Sequence, residues 1–112
     1  MRIRPKFKLW FVDDEEEYVF GLGVMRLLAE IDKLGSISAA TRELHMSYRY
    51  ALERITIVEK RLDRPLVERA RGGREGGGAH LTAFGRKLLT EYQSIEDSLK
   101  RLTQWYIELD DD

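Results

Sequence analysis

The chain has 112 residues and no cysteine, and its 19 Lys and Arg stand against 20 Asp and Glu. That length, with 43% apolar residues, suits one compact unit with an appended helix. The absence of thiols, and two histidines (His45 and His80) lying 35 positions apart, exclude a disulfide framework and a zinc cluster. No apolar run approaches the roughly 18 residues of a membrane span, and the first residues do not resemble a leader, so a cytoplasmic protein is expected.

The near-neutral total conceals an asymmetry. From Ser36 to Thr90 there are 11 Lys and Arg against 6 acids, a surplus of five, whereas the remainder holds 8 and 14. The outer acids gather in Asp13 to Glu17 and Asp110 to Asp112. A basic middle attracts a polyanion even on a neutral chain, because screening limits each charge's reach to roughly 8–10 Å. In composition alone, a solvated surface of mixed charge reads the same way.

Lys6 to Val12 alternates, with Phe7, Leu9 and Phe11 on one side, which predicts a half-buried strand. Phe20, Val24, Leu27, Leu28, Ile31 and Leu34 then recur at helical steps up to Gly35. The acids Asp13 to Glu17 are expected to complement the positive end of that helix, a simpler reading than a divalent metal site. Ser38 is expected to cap a short helix carrying Ala40 and Leu44, and Ser47 a second one after a tight turn. In the second, Ala51, Ile55, Val58 and Leu62 share one face, and Arg49, Glu53, Thr56 and Lys60 lie opposite, flanked by Tyr50 and Leu52.

Leu66 to Ala70 and Ala79 to Thr82 predict two strands joined by the glycine-rich stretch Arg71 to Gly78, a hairpin lined by Arg69, Arg71 and Arg74. No Gly-Lys-Ser/Thr follows, which excludes a nucleotide-phosphate loop. Thr82 to Leu109 predicts one long helix. Its Leu88, Tyr92, Ile95, Leu99, Leu102, Tyr106 and Leu109 form a heptad seam, expected to pack in part against a second copy. One long helix covering its own domain is the competing reading, and parallel and antiparallel packing both remain open.

In this order the elements describe a mainly α fold with a small β component, a winged helix-turn-helix. Residues 1–82 form the DNA-binding unit and 83–112 the dimerisation helix and acidic tail. A helix fits the major groove with its N-terminal residues nearest the base edges, and arginines and helix-start N–H groups bind phosphates. Ser38, Ser47, Tyr48, Arg49, Tyr50, Glu53 and Thr56 are the expected contacts of the helix-turn-helix, with Arg49 placed for bidentate contact to guanine. Arg69, Arg71 and Arg74 are the expected contacts of the wing, on phosphates or in a narrow minor groove. No catalytic, cofactor or metal constellation is present, so an enzyme is not expected. A winged-helix module that binds protein instead of DNA is the alternative, suggested by Leu52 and by the acid Glu53. Stacking on single strands is disfavoured because Trp10, Tyr92, Trp105 and Tyr106 lie away from the basic middle.

The stretch Gly35-Ser-Ile-Ser38, then Ser47-Tyr48-Arg49, Leu66-Val-Glu-Arg-Ala70, Arg71-Gly-Gly-Arg-Glu-Gly-Gly-Gly78 and Leu81-Thr82 resembles the DNA-binding domain of the molybdate-responsive ModE regulators, and more distantly LysR-type regulators. The likeness spans about two thirds of the chain. It implies a bacterial or archaeal transcription regulator that dimerises through its N-terminal domain and binds a palindromic operator. In that family further C-terminal domains sense the oxyanion. The present sequence ends at Asp112, so molybdate sensing by these residues is not expected.

Overall fold

The computed structural model describes residues 1–70 and 78–110. The described elements are β1 (Arg2–Ile3), β2 (Trp10–Val12), β3 (Tyr18–Gly21), α1 (Leu22–Leu34), α2 (Ile37–Glu43), α3 (Tyr48–Leu62), β4 (Val67–Arg69), β5 (Ala79–Leu81), α4 (Ala83–Leu102) and β6 (Ile107–Glu108). Each sheet is an antiparallel pair: β1 with β6, β2 with β3, and β4 with β5.

The alternation of Lys6 to Val12 is visible in burial, since Phe7, Leu9 and Phe11 are half-buried and their neighbours Lys6, Lys8, Trp10 and Val12 exposed. Only Trp10–Val12 joins a ladder, and its partner β3 was not expected from the sequence. Phe20 therefore belongs to a strand, where its ring stacks on Phe11 with centroids 4.7 Å apart. The acids Asp13 to Glu17 form the turn between β2 and β3, which corrects their assignment to a helix start. Asp13 Oδ1 accepts from the backbone N–H of Glu15 (2.8 Å) and Glu17 (3.1 Å), the local bonding that makes Asp a turn former. α1 begins after Gly21 without an acid in its first turn.

The core forms around α1, which packs on α2, α3, α4, β3 and β5. Leu27, Leu28 and Ile31 are almost wholly buried, each worth about 1.5–3 kcal/mol relative to exposure. α1 ends at Gly35, whose φ of +70° suits glycine and whose N–H reaches the Ile31 carbonyl. Ala51, Ile55 and Val58 of α3 close the core from one side, and Leu66, Ala79 and Leu81 from the base of the second hairpin. That base is fastened to α3 by Glu59, whose Oε2 accepts from the N–H of the fully buried Leu66 at 2.6 Å. Glu59→Ala would leave this donor unpaired and should cost about 1–3 kcal/mol in urea denaturation. Glu59→Gln keeps an acceptor and should recover most of the loss.

α4 starts at Thr82, whose Oγ1 accepts from the Gly85 N–H (2.9 Å) and donates to the Pro65 carbonyl (2.8 Å). Leu89 and Tyr92 are buried against the domain. Arg86 forks onto both carboxylate oxygens of Asp32 in α1 at 2.7 and 3.1 Å, and this contact raises its pKa further. Burial, chiefly, pushes the Tyr92 phenol up, and its hydroxyl donates to the Leu9 carbonyl.

The expected helix to Leu109 is shorter than the pattern implied. It stops at Leu102, where the Thr103 hydroxyl donates to the Leu99 carbonyl at 2.8 Å and satisfies the end of the helix. The chain then folds back as β6 onto β1, in the register Arg2 with Glu108 and Ile3 with Ile107. Tyr106 lies under the Arg2 guanidinium, 4.5 Å from it. Tyr106 and Leu109 are thus off the helical seam, and Tyr92 faces its own core. The radius of gyration is 17.4 Å, with principal extents of 66 × 34 × 21 Å, against about 13 Å for a compact chain of this size. The molecule is elongated.

Candidate nucleic-acid interface

The tight turn between α2 and α3 comprises Leu44 to Ser47, with His45 at φ +55° and the Met46 N–H returning to the Thr41 carbonyl. α2 is capped by Ser36, whose Oγ accepts from the Ala39 N–H at 3.1 Å, and not by the expected Ser38. The left-handed Gly35 delivers the chain to Ser36 in extended conformation, so the first serine of Ser-Ile-Ser takes the cap. Ser38 is the second residue of α2, half-buried, its carbonyl accepting from the Thr41 hydroxyl.

Ser47 caps α3 as expected, its Oγ 3.0 Å from the Tyr50 N–H. The anchored face of α3 turns Ser47, Tyr48, Arg49, Tyr50, Glu53 and Thr56 outward, and all six are exposed. No carboxylate among the described residues lies within ion-pair distance of Arg49. Its guanidinium therefore keeps its full donor set for a ligand.

β4 and β5 form the expected hairpin, in the register Val67 with Leu81, Glu68 with His80 and Arg69 with Ala79. Exposed Glu68 and His80 side chains meet at 3.0 Å. Arg71, Arg74 and the rest of residues 71–77 lie outside the described residues. Arg69 reaches the first residue of α3, its guanidinium donating to the Tyr48 hydroxyl at 3.4 Å. The Ala79 N–H donates to the Gly35 carbonyl and ties the hairpin to the end of α1. As a result Ser36, Ser38, Tyr48, Arg69 and Gly78 line one small notch. The starts of α2 and α3 and the base of the wing open on the same side. Sequence reasoning did not find the Tyr48–Arg69 contact or the Ser36 cap; the paired serines were the one available signal for the latter.

Of the expected seam, Leu88 and Leu99 are half-buried, whereas Ile95 and Leu102 are 39% and 70% exposed. Beyond the helix, Trp105, Tyr106, Ile107 and Leu109 are exposed as well. No helix of the described residues is long and apolar enough to cross a membrane, and no cluster of His, Asp or Glu among them could hold a metal ion.

The model for bacterial regulatory helix-turn-helix proteins of the lysR family matches residues 22–86, from the start of α1 into α4. The chain is similar to the molybdenum-pterin-binding protein MopB of Rhodobacter capsulatus, 45% identical over 68% of this chain and 28% of that protein. It is also similar to the molybdenum transport protein ModE of Azotobacter vinelandii, 37% identical over 71% of this chain and 31% of that one. The DNA-binding transcriptional dual regulator ModE of Escherichia coli K12 is 39% identical over 62% and 26%. The resemblance to ModE regulators read from the sequence is thus borne out, and the chain's matched region spans under a third of these relatives.

Among solved structures, the DNA-binding domain of CbnR in complex with DNA superposes with a TM-score of 0.58, at 24% identity, over 70% of this chain and 85% of that one. ArgP from Mycobacterium tuberculosis superposes with a TM-score of 0.54 at 26% identity, over 70% and 28%. The winged helix-turn-helix architecture is the shared feature. With the family match covering more than half of its residues, this chain belongs to the lysR family of bacterial regulatory helix-turn-helix proteins.

Proposed function

We propose that the chain forms the DNA-binding part of a dimeric, sequence-specific transcriptional regulator of the ModE-like kind, acting in the cytoplasm and without enzymatic activity. α3 lies in the major groove, with Arg49 forked onto guanine and Tyr48, Tyr50, Glu53 and Thr56 along the base edges and backbone. An acid on that face is compatible with DNA, since a carboxylate accepts from the amino group of cytosine. Ser38 and Ser47 meet phosphates, and the wing residues Arg69, Arg71 and Arg74 take neighbouring phosphates or enter the minor groove. The observation that carries this reading is the convergence of Ser36, Tyr48 and Arg69 in one notch. A single duplex can then touch both elements.

The second copy packs on the distal half of α4 and the surface beyond it, within residues 83–112. Ile95 and Leu102 are exposed there, and a groove of about 820 Å³ runs between residues 4–10 and α4, past Glu96 and Lys100. Neither Ile95 nor Leu102 belongs to the domain's own core, so the double variant Ile95→Asp, Leu102→Asp should keep its circular dichroism and run as a monomer in light scattering. It should also lose the extra affinity that a dimer gains from a second half-site, because linked sites bind at a raised effective concentration.

Selection of bound fragments from the source genome, followed by mobility shifts, tests the proposal. Recovered sites should be palindromic with half-sites about one helical turn apart, and affinity should fall steeply with salt as counterions are released. No shift with any fragment at low salt would favour a module that binds protein.

A further inference from the structure

A second feature of α3 lies beside its outward face and shares Tyr50 with it. Between the β2–β3 hairpin, the start of α1 and the middle of α3 is a cavity of about 240 Å³. Its apolar floor includes Val24, Leu27 and Val58, all buried. Gly23 lines the cavity, and a side chain added there would meet nothing within 4 Å. Tyr18 and Tyr50, both about half exposed, form part of its lining.

The charged groups of this cavity are two arginines, beside the two tyrosines, and no acid lines it. Arg61 is engaged: its guanidinium donates to the Val19 carbonyl at 3.1 Å and lies 5.5 Å from the centre of the Tyr18 ring. Arg54 lies 5.8 Å from the Tyr50 ring, and its Nε is buried with no hydrogen-bond partner among the described residues. No carboxylate among the described residues lies within ion-pair distance of Arg54, and an anionic acceptor binds such a guanidinium with a charge-assisted bond. A small apolar space with a few convergent polar groups is the usual form of a ligand site.

From these features we propose that the cavity binds a small organic carboxylate carrying one apolar ring, the carboxylate on Arg54 and the ring on the Val24 and Leu27 floor between the two tyrosines. The volume lies below the roughly 300–1,000 Å³ of sites for larger ligands, which limits the occupant to about one ring. This assignment does not depend on the DNA-binding proposal, and its test involves no DNA.

Benzoate titrated into the ¹⁵N-labelled full chain should give saturable shifts at Gly23, Met46 and the Arg54 side-chain Nε–H, with millimolar affinity. Benzamide, which has the same shape without the charge, should bind at least about tenfold more weakly. Arg54→Met removes the cation and keeps an unbranched stem. Gly23→Leu fills the space with Arg54 intact and favours the helix. Both should abolish the saturable shifts while their spectra remain those of a folded protein. The proposal is overturned if benzoate shifts do not saturate, if benzamide binds equally well, or if either folded variant binds like the parent.

Discussion

Gly85→Ala should unfold or severely loosen the domain, although alanine is the better helix former. Gly85 sits in the first turn of α4 against the backbone of Leu66, and an added Cβ would overlap the Leu66 carbonyl. That carbonyl accepts from the Thr82 N–H at 2.9 Å, and the Leu66 N–H donates to Glu59. Neither partner can withdraw without breaking a hydrogen bond that anchors the Leu66 backbone. The helical gain of roughly 1 kcal/mol is therefore outweighed by overpacking against fixed backbone, and the net loss should reach about 3 kcal/mol or more. Against a typical total of about 5–15 kcal/mol, this is a large fraction. Gly23→Ala is the matched control: nothing lies within 4 Å of the new Cβ, so the same substitution in α1 should be neutral or stabilise by up to about 1 kcal/mol. Urea denaturation of both variants measures the contrast, and similar losses at the two sites would refute the close approach of α4 to Leu66.

Arg49→Ala should produce the largest selective loss of DNA affinity. The side chain is exposed at the start of α3, where a guanidinium can fork onto the O6 and N7 of guanine. Losing such a pair costs about 1–3 kcal/mol, roughly 5- to 150-fold at the cognate site. On random duplex the loss should be much smaller, because nonspecific binding comes from many phosphates. Arg49→Lys should fall between parent and alanine on the cognate site, since an ammonium restores the charge but not the fork. Competition titrations against cognate and random duplex separate these effects. An equal loss on both would make Arg49 a phosphate contact and leave base reading to other residues.

Periodicity made the helices legible. The steps of four and three from Ala51 to Ile55 to Val58 place the buried face of α3, and thereby the exposed face that carries Arg49. The β3 strand was hidden because Val19 and Phe20 run directly into the apolar stripe of α1 with only Gly21 between them. A strand buried on both faces has no alternation to reveal it. The end of α4 was hidden for the opposite reason. Tyr106 and Leu109 continue the heptad spacing by coincidence, while the break at Thr103 depends on a hydroxyl bond to Leu99 and on pairing with the chain start more than 100 residues away. Local pattern carries no record of such long-range partners. The choice of Ser36 over Ser38 was decided by backbone conformation at Gly35, and the Arg54 cavity by packing between three elements.

The most direct test of a duplex held between α3 and the wing uses the absence of cysteine, which makes a single introduced thiol a unique attachment point. Thr56→Cys on the outer face of α3 and Glu68→Cys on β4 would each carry an iron chelate that cuts nearby DNA. If one duplex lies against both, cleavage from position 56 will centre on the major groove of each half-site, and cleavage from position 68 will fall on the same face of the duplex, displaced by about half a helical turn of roughly 5 base pairs. Folded conjugates that bind the site but cut it uniformly, or cut from only one of the two positions, would contradict that arrangement.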